Sequence, residues 1–299
     1  MFSGGVFYGL GAALGWGLAD FMVAVIARRI GSFVTLVLAQ SASVLFFTAL
    51  LASGVVRLPG WHPGLLALPA IGILGALSYT AFYRALQLGP IALVSPIVAG
   101  YAAVVIALSL TVGGEAIPAL ALTGAAVTIA GVVLASADLR AIRRSRGRTR
   151  GGAGPLLAAL AMAGFGVGAF LVGRYAKTTG WFGATYLSRL GSVTVVGFTA
   201  IVLAMRHRRG TRGDPLRRRP TLTEVAVTCA IGVLDIGGFA AFARGSELGF
   251  ISITAAASVI YPMIPILFGV LYLRERPAFS QWVGVATVGA GLTLLTLGR

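Results

Sequence analysis

The feature that most constrains this chain is a run of about 20 apolar residues that recurs from one end of the sequence to the other. An α-helix rises 1.5 Å per residue, so about 20 residues cross the roughly 30 Å of hydrocarbon in a bilayer. With 58% hydrophobic and only 11% charged residues, the chain has too few polar side chains to cover a soluble domain, where about 25% are charged. The sequence therefore predicts an all-α integral membrane protein.

Ten such runs, which we call spans 1 to 10, lie near residues 6–27, 33–53, 64–86, 91–112, 118–137, 155–176, 182–205, 222–245, 250–272 and 278–297. The segment 138–154 between spans 5 and 6 carries six arginines, and the loop 206–220 between spans 7 and 8 carries seven. We interpret 138–154 as a basic linker that separates a first five-helix unit, 1–137, from a second one, 155–299.

The two units resemble each other in sequence. Residues 76–136 align with 236–296 at an offset of 160 without a gap, and 14 of the 61 positions are identical, among them Phe82/Phe242, Arg84/Arg244 and Glu115/Glu275. An offset of 149 pairs Gly15-Trp16-Gly17 with Gly164-Phe165-Gly166. Because each unit has an odd number of spans, the second would enter the membrane in the opposite direction. This predicts two inverted repeats, an architecture in which substrates bind near the midplane between the repeats.

The basic residues predict the orientation. Of 24 lysines and arginines, 18 fall on the side of the two arginine-rich loops and six on the other. Cytoplasmic loops carry the excess of positive charge, so both termini are predicted to lie outside a cytoplasmic (inner) membrane. The same distribution accounts for the net charge of +16, and we therefore expect no nucleic-acid partner.

Several motifs resemble a known family. The segment 13–21, Ala-Leu-Gly-Trp-Gly-Leu-Ala-Asp-Phe, is similar to the first-helix signature of EamA-type members of the drug/metabolite transporter superfamily, and residues 82–86 with Ser95-Pro96 and Gly114-Glu115 resemble later motifs. The resemblance implies ten helices that export or import metabolites, coupled to an ion gradient or to exchange. Two positions depart from the repeat: Ala256 stands opposite Pro96, and Gln40 stands opposite Arg189. Strictly symmetrical roles for the halves are therefore not expected.

Three charged residues fall inside spans, where an ionised side chain costs about 2.5–3.5 kcal/mol. Asp20 and Asp235 are candidates for a proton-titrating site or for the counter-ion of a cationic substrate; the alternative is a structural pairing with an arginine. Arg189 could hold a substrate carboxylate in a forked geometry. Its alternatives are a structural pairing with Asp235 or extension of its charged head to the interface.

A substrate cavity is predicted between the halves, lined by spans 1, 3, 4, 6, 8 and 9, with Arg189 of span 7 reaching toward it. Its predicted binding residues are Trp16, Asp20, Tyr79, Tyr83, Tyr101, Arg189, Asp235, Phe239 and Tyr261. Tyr and Trp are also normal interfacial residues, so each aromatic side chain could instead be an anchor. Pro96, Pro262 and Pro265 are expected to kink spans 4 and 9.

An enzyme is not expected. The two histidines, His62 and His207, lie in separate loops, there is one cysteine, Cys229, and no glycine-rich phosphate loop ends at the single lysine, Lys177. The sequence predicts no cofactor and no metal. It favours a secondary transporter, an exporter or exchanger, of a small amphipathic metabolite such as an amino acid, with protons as a candidate coupling ion. The alternative is a passive channel or facilitator for a small organic solute or cation.

Overall fold

The protein is helical over nearly all residues that the computed structural model describes, which are 2–61, 63–88, 91–136, 153–208, 220–264, 267 and 279–297. The helices are α1 Phe2–Ile30, α2 Ser32–Ala52, α3 Ala67–Leu88, α4 Ile91–Ala99, α5 Tyr101–Thr111, α6 Ala119–Ser136, α7 Ala153–Arg208, α8 Leu222–Leu248, α9 Ile251–Ser258 and α10 Phe279–Leu297. Within those ranges, seven stretches are long and apolar enough to cross a membrane. The predicted all-α membrane fold is confirmed.

The helices differ from the spans in two places. Spans 6 and 7 are the two limbs of α7, which meet at Gly180, whose φ of 72° lies in the left-handed region that favours glycine. Span 4 is divided into α4 and α5 at Gly100, whose N–H bonds the Ile97 carbonyl at 3.0 Å. Pro96 lies inside α4, so the interruption follows the predicted kink by one turn.

Parts of the predicted organisation fall outside the described residues. These parts are most of the basic linker (137–152), the middle of the second basic loop (209–219), Pro265 and Glu275. The described portion of span 9 consists of α9, the turn that follows it to Ile264, and Leu267. The count of ten spans and the 138–154 boundary therefore stay predictions.

Small residues let the helices approach closely, as expected where lipid gives no hydrophobic drive between helices. A Cβ on Gly72 of α3 would overlap the Ser188 carbonyl of α7, and a Cβ on Gly232 of α8 would overlap the Ala39 carbonyl of α2. The two glycines differ by 160 in number, and Ser188 and Ala39 differ by 149. The same contact thus occurs at matching positions of both halves, which supports the predicted duplication.

Local sequence signals define where individual helices begin. The helix α8 starts with a capping box in which the Thr221 hydroxyl accepts the Glu224 N–H at 3.3 Å and the Glu224 carboxylate accepts the Thr221 N–H at 2.9 Å. Between α1 and α2, Gly31 adopts a φ of 89°, which allows an abrupt reversal of the chain. These two signals set where α8 and α2 begin.

Candidate functional site

A cavity lies in the middle of the bundle, where helices from both halves meet. It encloses about 480 Å³ of empty space, with the solvent at its mouth included. Its walls come from α1, α3, α4, α5, α7, α8 and the turn after α9, and these elements correspond to the six spans predicted to line it. The lining residues are Trp16, Asp20, Tyr79, Phe82, Val98, Tyr101, Phe165, Ala169, Asp235, Phe239 and Tyr261.

Two matched aromatic pairs line the cavity. Trp16 of α1 packs on Phe239 of α8, with ring centroids 6.2 Å apart. Phe165 of α7 packs on Tyr79 of α3, with centroids 4.9 Å apart. Trp16 and Phe165 match at the offset of 149, and Tyr79 and Phe239 match at 160. These parts of the lining therefore come from equivalent positions of the two halves. They differ in that Tyr79 carries a hydroxyl and its equivalent, Phe239, does not.

Two tyrosines pack against each other in the cavity wall. The rings of Tyr101 in α5 and Tyr261 after α9 have centroids 6.4 Å apart, and the two residues match at the offset of 160. The Tyr101 hydroxyl shares a hydrogen bond with the Ser258 hydroxyl at 2.5 Å. The Tyr261 hydroxyl is buried and has no hydrogen-bond partner among the described residues. It is an available donor or acceptor beside the cavity, and buried polar atoms normally have a partner.

The interior charges form a network around Arg189. Its Nη2 atom lies 2.7 Å from Asp235 Oδ2, and its Nη1 atom donates to Gln40 Oε1 at 2.8 Å. The other carboxylate oxygen of Asp235 accepts the Tyr79 hydroxyl at 2.7 Å. The guanidinium also stacks against two rings, 5.3 Å from the centroid of Tyr79 and 5.6 Å from that of Phe239. Arg189 is thus held by an ion pair, an amide and two aromatic faces.

This network matches the alternative in which Arg189 forms a structural pair with Asp235. The side chain is 4% exposed and that of Asp235 is 13% exposed, so the pair is buried. Two of the guanidinium's donors are therefore already bonded to Asp235 and Gln40. Arg189 lies beside the cavity, in an adjoining recess that Tyr79 and Phe239 also line.

Asp20 differs from Asp235 in having no hydrogen bond or ion pair in the described part of the chain. It lies on α1 one turn after Trp16, is half-buried, and lines the cavity. With Asp20, Asp235 and Arg189, the site contains one more carboxylate than guanidinium.

The structure brings seven of the nine predicted binding residues to the cavity wall, namely Trp16, Asp20, Tyr79, Tyr101, Asp235, Phe239 and Tyr261. Tyr83 is buried behind Tyr79, with ring centroids 6.2 Å apart, and Arg189 lies in the adjoining recess. Their roles in binding stay predictions.

The prediction of binding residues missed several members of the site. Phe165 lines the cavity, and its match to Trp16 at the offset of 149 was the signal for it. Gln40 contacts Arg189, and the same offset makes these two residues equivalent. Phe82, a position identical in the two repeats, also lines the wall. The small residues Val98 and Ala169 carried no chemical signal and become visible only in the fold.

A second polar cluster lies at one end of the bundle. Glu115, after α5, accepts N–H bonds from Ile251 at 2.7 Å and Ser252 at 3.1 Å, at the start of α9. It also pairs with Lys177 of α7 at 3.4 Å. Nearby on α8, Arg244 pairs with Glu247 at 2.9 Å, and Glu247 accepts the Trp181 N–H at 3.2 Å. These contacts tie α5, α7, α8 and α9 together at a single end.

Metal binding is not suggested by the described ranges, where no three His, Cys, Asp or Glu side chains come together as a possible metal site. His62 lies outside the described residues, as does the side chain of His207.

Comparisons with known proteins add a family and a fold. Residues 3–137 match the model of the EamA-like transporter family. A solved crystal structure aligns with 98% of this chain and 96% of its own length, with a TM-score of 0.73 and 18% sequence identity. At that identity the alignment establishes the fold alone. Among curated proteins, none matches this sequence.

Proposed function

From the match of residues 3–137 to the model of the EamA-like transporter family, we propose a specific mode for the transport of small solutes by this protein. The protein is a multi-pass membrane transporter, and the proposed mode is secondary transport, by export or exchange, across the cytoplasmic membrane. The proposed solute is a small amphipathic metabolite, for example an amino acid or a close relative of one.

The observation that carries this proposal is the cavity between the halves. Seven of its lining residues are aromatic and two are carboxylates, which suits a ligand with a flat or apolar body and one ionised end. Ligand sites are typically apolar clefts with a few convergent polar groups. A phosphorylated sugar fits poorly, because the guanidinium that the described residues place beside the cavity, that of Arg189, is bound by Asp235 and Gln40.

The polar cluster at one end of the bundle supports alternating access over a channel. Glu115 joins the start of α9 to Lys177 of α7, and its side chain is 5% exposed. In inverted repeats, access alternates as one half moves against the other, so breaking these contacts at one end would accompany the formation of matching contacts at the other.

Protons are the proposed coupling ion, and Asp20 is the proposed titrating group, because Asp235 is already paired with Arg189. Asp20→Asn removes the charge change and nearly keeps the shape. We expect uptake driven by a proton gradient in proteoliposomes to be lost in this variant, and any solute exchange that remains without a gradient to be independent of pH.

The function is tested by a thermal-shift screen of metabolites on the purified wild-type chain, followed by flux of the stabilising solutes. A ligand that binds only the folded state raises the melting temperature. Secondary transport predicts that an imposed gradient drives solute accumulation. Flux that only equilibrates, and is unchanged when every gradient is collapsed, would support the passive facilitator instead.

A further inference from the structure

The geometry points to a small organic cation as the solute, with its positive group bound to Asp20 inside the aromatic cavity. This inference rests on the proposed function, since it names the charge of the solute at the same site. It narrows an amphipathic metabolite with one ionised end to a molecule whose ionised end is an ammonium or a guanidinium.

The charged groups around the cavity do not balance, because one carboxylate lacks a cationic partner among the described residues. Asp235 is neutralised by Arg189 at 2.7 Å and receives the Tyr79 hydroxyl. Asp20 lines the same cavity and has no cationic partner in the described part of the chain. An unpaired carboxylate inside a membrane protein is unfavourable and marks a functional site. A bound cation would supply the missing charge.

Aromatic rings line the cavity together with Asp20. Trp16 lies one helical turn before it on α1, and Tyr101 meets the Trp16 ring edge to face, with centroids 6.0 Å apart. Tyr261 adds a third ring, which packs against Tyr101 in the same wall with centroids 6.4 Å apart. Aromatic faces attract cations through their quadrupoles, most strongly for Trp, and repel anions. Three rings and one carboxylate form a site for a positive group.

The hydroxyl of Tyr261 is a further polar group of the cavity wall. Tyr261 has a buried hydroxyl without a described partner, and it lines the cavity with Asp20. A hydroxyl can accept an N–H from an ammonium or a guanidinium as well as donate. The guanidinium of Arg189, the group that would be needed for an anion, is enclosed by Asp235, Gln40 and two rings.

The test compares three probes that share one aromatic body and differ in charge: 2-phenylethylammonium, 2-phenylethanol and 3-phenylpropionate. Binding to the purified full-length chain is measured by calorimetry at neutral pH, with empty micelles as the blank. We expect the ammonium to bind at least about tenfold more tightly than the alcohol, and the carboxylate to bind most weakly. This ordering needs no variant. Equal affinities, a preference for the carboxylate, or no binding of the ammonium at millimolar concentration would overturn the inference.

Variants then assign the preference to Asp20. Asp20→Asn should reduce the advantage of the ammonium over the alcohol to about twofold or less, while Asp20→Glu retains it. The control is Glu247→Gln, which removes one carboxylate at the end of α8, outside the cavity, and should leave the preference unchanged. A full preference in Asp20→Asn would place the cation elsewhere. If the cation binds but is not transported, the proposal of secondary transport fails while the cation site stands. If a gradient drives the flux of neutral or anionic solutes but not of cations, the cation site fails while secondary transport stands.

Discussion

Removing the guanidinium of Arg189 should be one of the most destabilising single changes in the protein. In Arg189→Met, the Asp235 carboxylate loses the ion pair at 2.7 Å, and Gln40 Oε1 loses its donor at 2.8 Å. Asp235 is 13% exposed, so little water can replace the lost contact, although the Tyr79 hydroxyl still bonds it. Breaking one partner of a buried pair costs about 3–5 kcal/mol, and we expect the free energy of unfolding to fall by about that amount.

The double variant Arg189→Met with Asp235→Leu separates the pair from the rest of the site. Replacing a whole buried ion pair with apolar residues of similar size is often neutral, so the double variant should be at least about 2 kcal/mol more stable than the sum of the single changes implies. The assay is reversible unfolding in mixed detergent micelles, with Arg84→Met, an exposed arginine bonded to Gln87, as the matched control. Additive effects, or an Arg189→Met variant as stable as the control, would refute the structural role of the network.

Three further changes test the packing, the helix start and the orientation. Gly72→Val places a side chain against the Ser188 carbonyl and should destabilise the fold by about 1–3 kcal/mol or more in the same unfolding assay, whereas Gly75→Val, which has open space, should not. Thr221→Ala removes a capping hydroxyl and should cost about 1 kcal/mol; wild-type stability would argue against the capping box. With Cys229 replaced by Ala, single cysteines at residues 145 and 211, which lie outside the described residues, should react only from the cytoplasm, and labelling by an impermeant reagent in intact cells would reverse the orientation.

Much of the fold follows from hydropathy alone, because a bilayer demands about 20 apolar residues for each helix. The aromatic wall followed from the repeat, since Tyr79 and Phe239 occupy matching positions. Hydropathy does not report how side chains pair across the bundle. Arg189 bonds residues 46 and 149 positions away, and its pairing with Asp235 was therefore only one of several alternatives.

Backbone breaks were also only partly predictable. Pro96 lacks an N–H group, which weakens a helix at the preceding turn, but α4 continues through Pro96 to Ala99. The helix is interrupted at Gly100, whose position is fixed by packing as well as by propensity: a Cβ there would overlap Met162 of α7. Packing partners of this kind are distant in sequence and become apparent only in the folded structure.

The central claim, that a solute passes through the cavity by alternating access, is tested most directly by counterflow in proteoliposomes. Vesicles are loaded with an excess of an unlabelled solute that stabilises the wild-type chain, and labelled solute is added outside. The account predicts transient accumulation of label above equilibrium by the wild type, and its loss in Ala169→Trp, where a large side chain fills the cavity that Ala169 lines. A monotonic approach to equilibrium in the wild type, or undiminished counterflow in Ala169→Trp, would contradict it.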